Sequence, residues 1–366
     1  MAFEWQAEEA DDAGVDEGAL NAMAADLATR GTQGLLVSKD DRIVLEWYGD
    51  DHGPDKPHYS ASLAKAMVGG VSLMLAMDDG LIDPDDLASK FVPTWANDPR
   101  RSKITIRHLA THSSGVEDAE LNEADRKKAL LEGVPLTDHH MSLPGWKGAF
   151  WRQEPDPFTL SRDDAPIEFE PGNRYAYSNP GMAMLAWCVT ESLKDSPHRD
   201  IRTLLADRLM RPMGLADDTW SVGYGKTFDV DGLPLVANWG GGGFTARTAA
   251  AVGRLMLRRG DWEGESLVRR ETVERMVAYA ETPIPDRPDG NPQPASGLAW
   301  YTNYDLNWAG VPADAFAGAG AGNQVLIVVP SLQMIIVRNG SQIDEKGFWG
   351  GVVDHLLNPL IAAIRT

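Results

Sequence analysis

Ser62 and Lys65 stand three residues apart in HYSASLAKAM, residues 58–67, inside a run that is otherwise mostly apolar. Residues three apart on a helix share a face, so the hydroxyl and the amine can meet. A serine hydroxyl becomes an effective nucleophile only when a base takes its proton, and a lysine amine is a base only when neutral. Burial supplies that condition, because a low-dielectric setting disfavours the ammonium form. At a helix start, Ser62 would also carry a free backbone N–H toward a developing oxyanion. The bland alternative is a serine that caps the helix and a lysine that reaches outward to water. A serine three residues before a lysine arises by chance about once or twice in a chain of this length. None of the other ten lysines follows a serine at that spacing, and this pair falls in the most apolar helical run, which favours chemistry.

Acyl transfer also needs a group that returns the proton to the leaving atom, a role a tyrosine can fill. Two Tyr-x-Asn triplets exist, Tyr177-Ser178-Asn179 and Tyr301-Thr302-Asn303. The first follows EPGNRYA and precedes Pro180 and an apolar run, so it lies on a turn at a helix entrance. The second lies in a strand-like run, where alternation puts Tyr301 and Asn303 on one sheet face as plain structural residues. The first is the stronger candidate.

The elements that must position these groups follow from the apolar pattern. Residues 33–38 with Thr32 before them (TQGLLVS) and RIVLEWY (42–48) read as an N-terminal hairpin. Residues 62–77 read as a helix apolar nearly all round, as a central buried helix is, with Asp78-Asp79-Gly80 as its stop. From about residue 85 to 290, helical segments alternate with Pro and Gly; a further helix is expected over 246–258. Strand-like runs return at 297–302, 324–329 and 333–338, before a terminal helix over about 345–364. Residues 117–166 are charged and Pro-rich without clear periodicity, which reads as a lid-like loop. With 366 residues the chain exceeds the roughly 250–300 at which one core stops growing. Two lobes are expected: 1–85 with 290–366 as an α/β lobe built from both ends, and 86–289 as a mostly helical insertion.

Formal charge is −20 with no basic block, which argues against nucleic acid and anionic membrane as partners. The first twenty residues are acidic where a signal peptide would be basic, and no run reaches the ~18 uninterrupted apolar residues of a membrane span. Cys188 is the only cysteine and sits in an apolar run, so it reads as a core residue of a protein in a reducing compartment. A cytoplasmic location is therefore expected. Of twelve tryptophans, Trp146, Trp151, Trp220, Trp239, Trp300 and Trp308 neighbour Gly, Pro or Asp, where some can line a cleft.

Five blocks carry a resemblance: SASLAK (60–65), LATHSSGV (109–116), EPGNRYAYSNPGMAML (170–185), LMRPMGLADDT (209–219) and GGGGFTARTAAAVGRLML (240–257). In order and spacing this resembles the serine β-lactamase-like hydrolases, over roughly residues 30–345. That superfamily includes class C β-lactamases, D-alanyl-D-alanine peptidases, family VIII carboxylesterases and 6-aminohexanoate-dimer hydrolases. The resemblance implies an α+β fold of the β-lactamase/penicillin-binding-protein type, an antiparallel sheet flanked by helices with an inserted helical lobe. It implies Ser62 as the acylated nucleophile, Lys65 as its base, Tyr177 as the acid/base for the leaving group, and Asn179 orienting the substrate carbonyl and touching Lys65. No metal or organic cofactor is implied.

The chain departs from the pattern at the strand that carries Lys-Thr-Gly or His-Thr-Gly, because FAGAGAGNQVLIVVP (316–330) has neither cation. That cation binds the substrate carboxylate in penicillin-recognising members, so its absence points to the esterase and amide-hydrolase branches. A backbone N–H among Gly320, Ala321 and Gly322 is expected to complete the oxyanion hole with the Ser62 N–H. Arg174 and Arg247 are candidate replacements for the cation, with surface salt bridges as the other fate of each. GAGAG precedes a strand, the wrong context for a dinucleotide loop, and no serine lies in Gly-x-Ser-x-Gly. His108 and His112 share the spacing of zinc ligands without the glutamate or third ligand such a site needs. The expected function is a serine hydrolase acting on small esters or amides. The runners-up are a β-lactamase or D-amino-acid peptidase, and a silent binding protein on the same scaffold.

Overall fold

A computed structural model describes residues 3–132, 140–288 and 290–365. An eight-stranded sheet is assembled from both ends of the chain: β1 (Gln6–Ala7), β2 (Thr32–Lys39), β3 (Arg42–Tyr48), β4 (Ala295–Ser296), β5 (Tyr301–Thr302), β6 (Phe316–Gly320), β7 (Gln324–Val329) and β8 (Met334–Gly340). Its order is β1-β3-β2-β8-β7-β6-β5-β4, antiparallel except for the β1–β3 pair. Runs such as VLIVV (325–329) and MIIV (334–337) are apolar at every position because both faces are covered. Leu326, Val328, Ile335 and Val337 join the larger core, whereas Val325, Ile327, Val329 and Ile336 join the smaller one on the opposite face. This is the period-2 alternation of a strand with two dry sides. Helix α1 (Glu17–Thr29), capped by Asp16 at the amide of Ala19, packs on the smaller core with the C-terminal helical turns, 348–362.

Behind the sheet runs one continuous helical rod over 61–78, which is long and apolar enough to cross a membrane but lies 89% buried inside the protein. It opens as a 3₁₀ turn, Ala61–Leu63, widens to a π-helical stretch, Lys65–Gly70, and ends as helix α2, Val71–Asp78. Helix α3 (Asn179–Ser192), with Ser178 as N-cap and Pro180 in its first turn, crosses this rod. Helix α4 (Ala246–Leu257) packs on β2, β7 and β8, although it falls inside the stretch 86–289. That stretch therefore also contributes one layer of the sheet side.

Several elements differ from the sequence reading. Residues 117–166 contain helices at Glu123–Glu132, Gly145–Arg152 and Pro157–Thr159, the last continued by a π turn over Leu160–Asp164. Proline, tryptophan and dense charge hide their short periods, and residues 133–139 of this stretch lie outside the described residues. Of the run 297–302 only Tyr301–Thr302 (β5) is strand; residues 297–300 form the turn from β4, in which Ala299 adopts φ +61. The terminal helix spans 348–362, shorter at both ends than the pattern suggested.

The small residues of β6 have a steric cause. A Cβ on Gly318 would lie 2.7 Å from both Ala66 Cβ and Leu63 Cδ1. A Cβ on Gly320 would lie 2.5 Å from Leu63 N, 2.6 Å from Ser60 O and 2.8 Å from Ser62 N. The strand thus touches the backbone at the start of the rod, and any side chain there must push the two apart. Gly320→Ala is expected to cost about 1–3 kcal/mol of stability by overpacking. It should also slow the acylation expected at Ser62 at least tenfold, with stability read by urea unfolding and the rate by active-site titration; an unchanged rate would show that this contact does not set the geometry.

Candidate active site

Ser62 sits in the first turn of the rod, where the amides lack helical partners. The residue before it, Ala61, is held at φ +47, a conformation that a non-glycine residue adopts only under constraint from its surroundings. The constraint is visible. The Ser60 hydroxyl donates to Gly241 O at 2.8 Å, the Ser60 amide to Gly242 O at 3.2 Å, and the Leu63 amide back to Ser60 O at 3.0 Å. The glycine run 240–243 therefore clamps the base of the rod.

Lys65 is 5% exposed, and its Nζ reaches three oxygens: Asn179 Oδ1 at 2.7 Å, Trp239 O at 2.8 Å and Ser62 Oγ at 3.1 Å. Nζ also lies 4.6 Å from the centre of the Tyr177 ring. Burial drives the Lys65 pKa down to about 7, against the opposing pull of Asp118 and Glu120. The Tyr177 hydroxyl donates to Ser62 Oγ at 2.8 Å. Burial pushes this phenol well above its usual range, helped by nearby Tyr301, while the bond to Ser62 opposes the shift. Ser62, Lys65, Tyr177 and Asn179 are thus brought together from two chain segments more than a hundred residues apart.

Two further residues complete the cluster: Asp118, which the sequence reading did not single out, and Trp239, which it considered only for its ring. Asp118 Oδ1 accepts from both the Asn179 amide (2.8 Å) and Asn179 Nδ2 (3.0 Å). That double acceptance fixes which way the Asn179 amide points, with its oxygen toward Lys65. Burial and the charge of Glu120 push the Asp118 carboxyl up to about 6. The other is Trp239, which contributes only its backbone carbonyl, a group that no side-chain motif reports. His112 supports Tyr177 from behind: the Ser178 amide donates to His112 Nδ1 at 3.2 Å, and the two rings lie 4.5 Å apart. Burial, with Lys65 adding to it, lowers the His112 pKa to about 3. His108 Nδ1 accepts from the Thr105 amide as part of a helix cap. Both imidazoles are accordingly committed to backbone amides.

In front of Ser62 opens a cleft of about 520 Å³. Ala319, Gly320 and Ala321 form one wall. Strand β5 pairs with β6 only at Phe316 and Ala317, so the next residues keep a free edge toward the cleft. Gly322 is not on this wall. It turns the hairpin at φ +78, and its carbonyl, like that of Asn323, accepts from the buried Arg338 guanidinium. Tyr301 does line the cleft, contrary to its reading as a plain strand residue, whereas Asn303 is buried and bonds the 308–312 loop. Trp349, from the C-terminal helical segment, lines it as well. Among the tryptophans singled out from the sequence, Trp151 and Trp239 line a separate groove near Tyr59, and Trp300 and Trp308 are buried. Arg247 forms a bidentate pair with Glu46, and Arg174 pairs with Glu168 over the Phe169 ring, so neither supplies the missing cation.

Comparison with known proteins agrees with this architecture. A family model described as Beta-lactamase matches residues 19–341. The chain is 24% identical over 342 residues to the 6-aminohexanoate-dimer hydrolase of Paenarthrobacter ureafaciens, covering 89% of this chain and 77% of that protein. The structure of a family VIII carboxylesterase is similar with a TM-score of 0.68 at 15% identity, covering 100% of this chain and 99% of the other. A penicillin-binding protein homologue from Caulobacter crescentus gives 0.66 at 14% identity, over 98% and 99% of the two chains. The α+β fold expected from the sequence is the fold these structures share, and the family match covers most of the chain. This protein belongs to the Beta-lactamase family and is a hydrolase of the serine β-lactamase-like superfamily.

Proposed function

We propose that the protein hydrolyses small carboxylesters or amides through an acyl-enzyme on Ser62. The observation that carries this reading is the cage around Lys65 Nζ. A neutral amine has two N–H bonds and one lone pair. Asn179 Oδ1 and Trp239 O take the two hydrogens, which leaves the lone pair for the Ser62 hydroxyl. Ser62 Oγ then attacks the substrate carbonyl as its proton passes to Lys65. The Ser62 N–H and the free edge at 319–321 face the oxyanion. On collapse the bond to the leaving group breaks, and that atom takes the Tyr177 proton, which Lys65 restores. Water enters by the reverse route and frees the acid.

Relatives named as an esterase and an amide hydrolase support the substrate class. The described wall of the cleft holds no lysine, arginine or histidine, which weighs against β-lactams and D-amino-acid peptides, both anions. Lone Cys188 is buried, in keeping with our proposal of a reducing, cytoplasmic setting. Labelling with a fluorophosphonate and intact-mass detection tests the nucleophile: the adduct is expected on wild type and absent from Ser62→Ala. An adduct that survives the substitution, or none on wild type, sinks the reading and leaves a silent binding protein. Turnover of p-nitrophenyl butyrate against nitrocefin separates esterase from β-lactamase, with the ester expected to win.

The pH dependence has a definite sign. Lys65 must be unprotonated, so the acylation rate rises as pH passes through about 7. It then stays level toward pH 10, because Tyr177 holds its proton beyond that range. A rate that falls through neutrality would contradict the assignment. Stability carries the same signature. Between about 7 and the unfolded lysine value near 10.4 the unfolded chain binds the extra proton, so this group makes folding more favourable as pH rises. Lys65→Met lacks that slope. Its melting temperature relative to wild type should therefore decline from pH 7 to 10 in a thermal-shift series.

Asp118→Ala tests the support of Asn179. Two donors lose their acceptor, at about 1–3 kcal/mol of stability. Acylation should slow tenfold or more, and the acid limb should move to lower pH, because a charge that favoured protonated Lys65 is gone. Asp118→Asn, which keeps one acceptor oxygen, should recover part of the rate. An acid limb that stays in place would assign Asp118 a structural part only.

A further inference from the structure

The cleft in front of Ser62 has a definite charge. Its described wall carries two carboxylates, Glu120 and Asp286, and no basic side chain. Two basic groups beside these carboxylates are occupied elsewhere: Lys147, whose Nζ donates to Glu120 O at 3.1 Å, and Arg287, the residue after Asp286. Lys147 pairs with Glu117 at 2.8 Å and Asp125 at 2.6 Å, and Arg287 pairs with Asp305 at 2.8 Å while donating to Gln293 O. Glu120 and Asp286 themselves enter no ion pair among the described residues. The charge of Glu120 acts on Lys65, Asp118 and Tyr177, which puts it close to the reacting groups. Four aromatic side chains, Tyr175, Tyr301, Phe348 and Trp349, share the wall with the uncharged amides Asn291 and Gln293. Aromatic faces next to carboxylates make a surface suited to an alkylammonium, by cation–π attraction and Coulomb attraction together. The existence of a binding site here rests on Ser62 and its base; the carboxylates decide which charge that site accepts.

We propose that the cleft selects esters or amides that bear a cationic ammonium group, with Glu120 and Asp286 as the specificity-determining residues, and that it disfavours anionic ones. This inference rests on the reading of Ser62 as the acylated nucleophile. Placing an anion in the same cleft would set like charges together in a partly desolvated space, which suppresses the wrong partner.

Three p-nitrophenyl esters with one leaving group test it on the intact protein: 4-(trimethylammonio)butanoate, its uncharged carbon isostere 5,5-dimethylhexanoate, and the hemiglutarate. Butyrylthiocholine against 3,3-dimethylbutyl thiobutyrate repeats the comparison with the charge on the leaving side. The expected order of kcat/KM, in at least one of the two series, is cation above neutral by about tenfold, and neutral above anion by a similar factor. In the double variant E120Q/D286N the cation-to-neutral ratio should fall toward one. Added salt should compress the ratio in wild type. Neutral esters turned over with a flat or reversed charge order, or a ratio indifferent to the double variant, would overturn the inference and leave the Ser62 mechanism standing. No turnover of any ester together with no fluorophosphonate adduct would remove both.

Discussion

The structure depends on keeping one amine dry. Water would solvate the Lys65 ammonium and hold its pKa near the ordinary value, so Lys65 can serve as the proposed base only while the surrounding helix excludes solvent. The rod 61–78 does this by being buried along nearly its whole length, with Met67, Val68, Val71 and Leu75 inaccessible. Burial alone would also be costly, because N–H groups without acceptors are unfavourable. Asn179 Oδ1 and Trp239 O meet that need while adding no net charge. Had a carboxylate taken either place, the ammonium would be stabilised and the base lost. Asp118 stands one bond further back and reaches Lys65 only through the Asn179 amide and its field.

That arrangement joins pieces of chain that are remote in sequence, and the sheet is what lets them meet. Strand β6 must lie against the rod closely enough for its free edge to face the Ser62 amide, which excludes side chains at 318 and 320. The turn after it is held by Arg338, buried with no carboxylate partner among the described residues and bonded to Gly322 O, Asn323 O, Thr32 Oγ1 and Arg30 O. Burial lowers even this guanidinium to about 10. On the other side the glycine run 240–243 admits the Ser60 bonds that keep Ala61 in its unusual conformation. Strain at Ala61, beside the proposed nucleophile, is thus held by close contacts from two segments, β6 and the glycine run, neither of which contributes a reacting side chain.

Where chemistry and packing both leave a local mark, the sequence was readable. Ser62 and Lys65 share a helical face, Tyr177 and Asn179 flank an N-cap before a proline, and the apolar runs of β2, β3, β7 and β8 announce a sheet built from both ends. Groups that act through tertiary placement left no such mark. Trp239 works through its carbonyl, Asp118 through an amide sixty-one residues away, and Trp349 reaches the cleft from the last helical segment. Tyr301 was assigned by strand alternation to a structural face, but a short strand at the cleft margin exposes that face to substrate. The helices within 117–166 leave no clear stripe because each is about three turns or less, and the longest, EADRKKALLE, bunches its leucines at one end.

The acidic wall and the lysine base pull against each other. Asp118 and Glu120 both favour the ammonium form of Lys65, so the pKa of about 7 is the residue of a strong desolvation and a weaker Coulomb opposition. A cleft lined this way is compatible with catalysis only because burial outweighs the carboxylates. The balance changes when a ligand arrives. A cation seated beside Glu120 cancels part of the negative field at Nζ, and it also displaces water from the mouth of the site. Both effects lower the proton affinity of Lys65 further. An anion would reverse the field change only by adding charge that the wall already repels. Under this reading the substrate charge that favours binding is also the one that frees the base, so recognition and activation both draw on Glu120. Discrimination should then appear in the acylation rate constant as well as in affinity, as expected when an interaction strengthens on the way to the transition state.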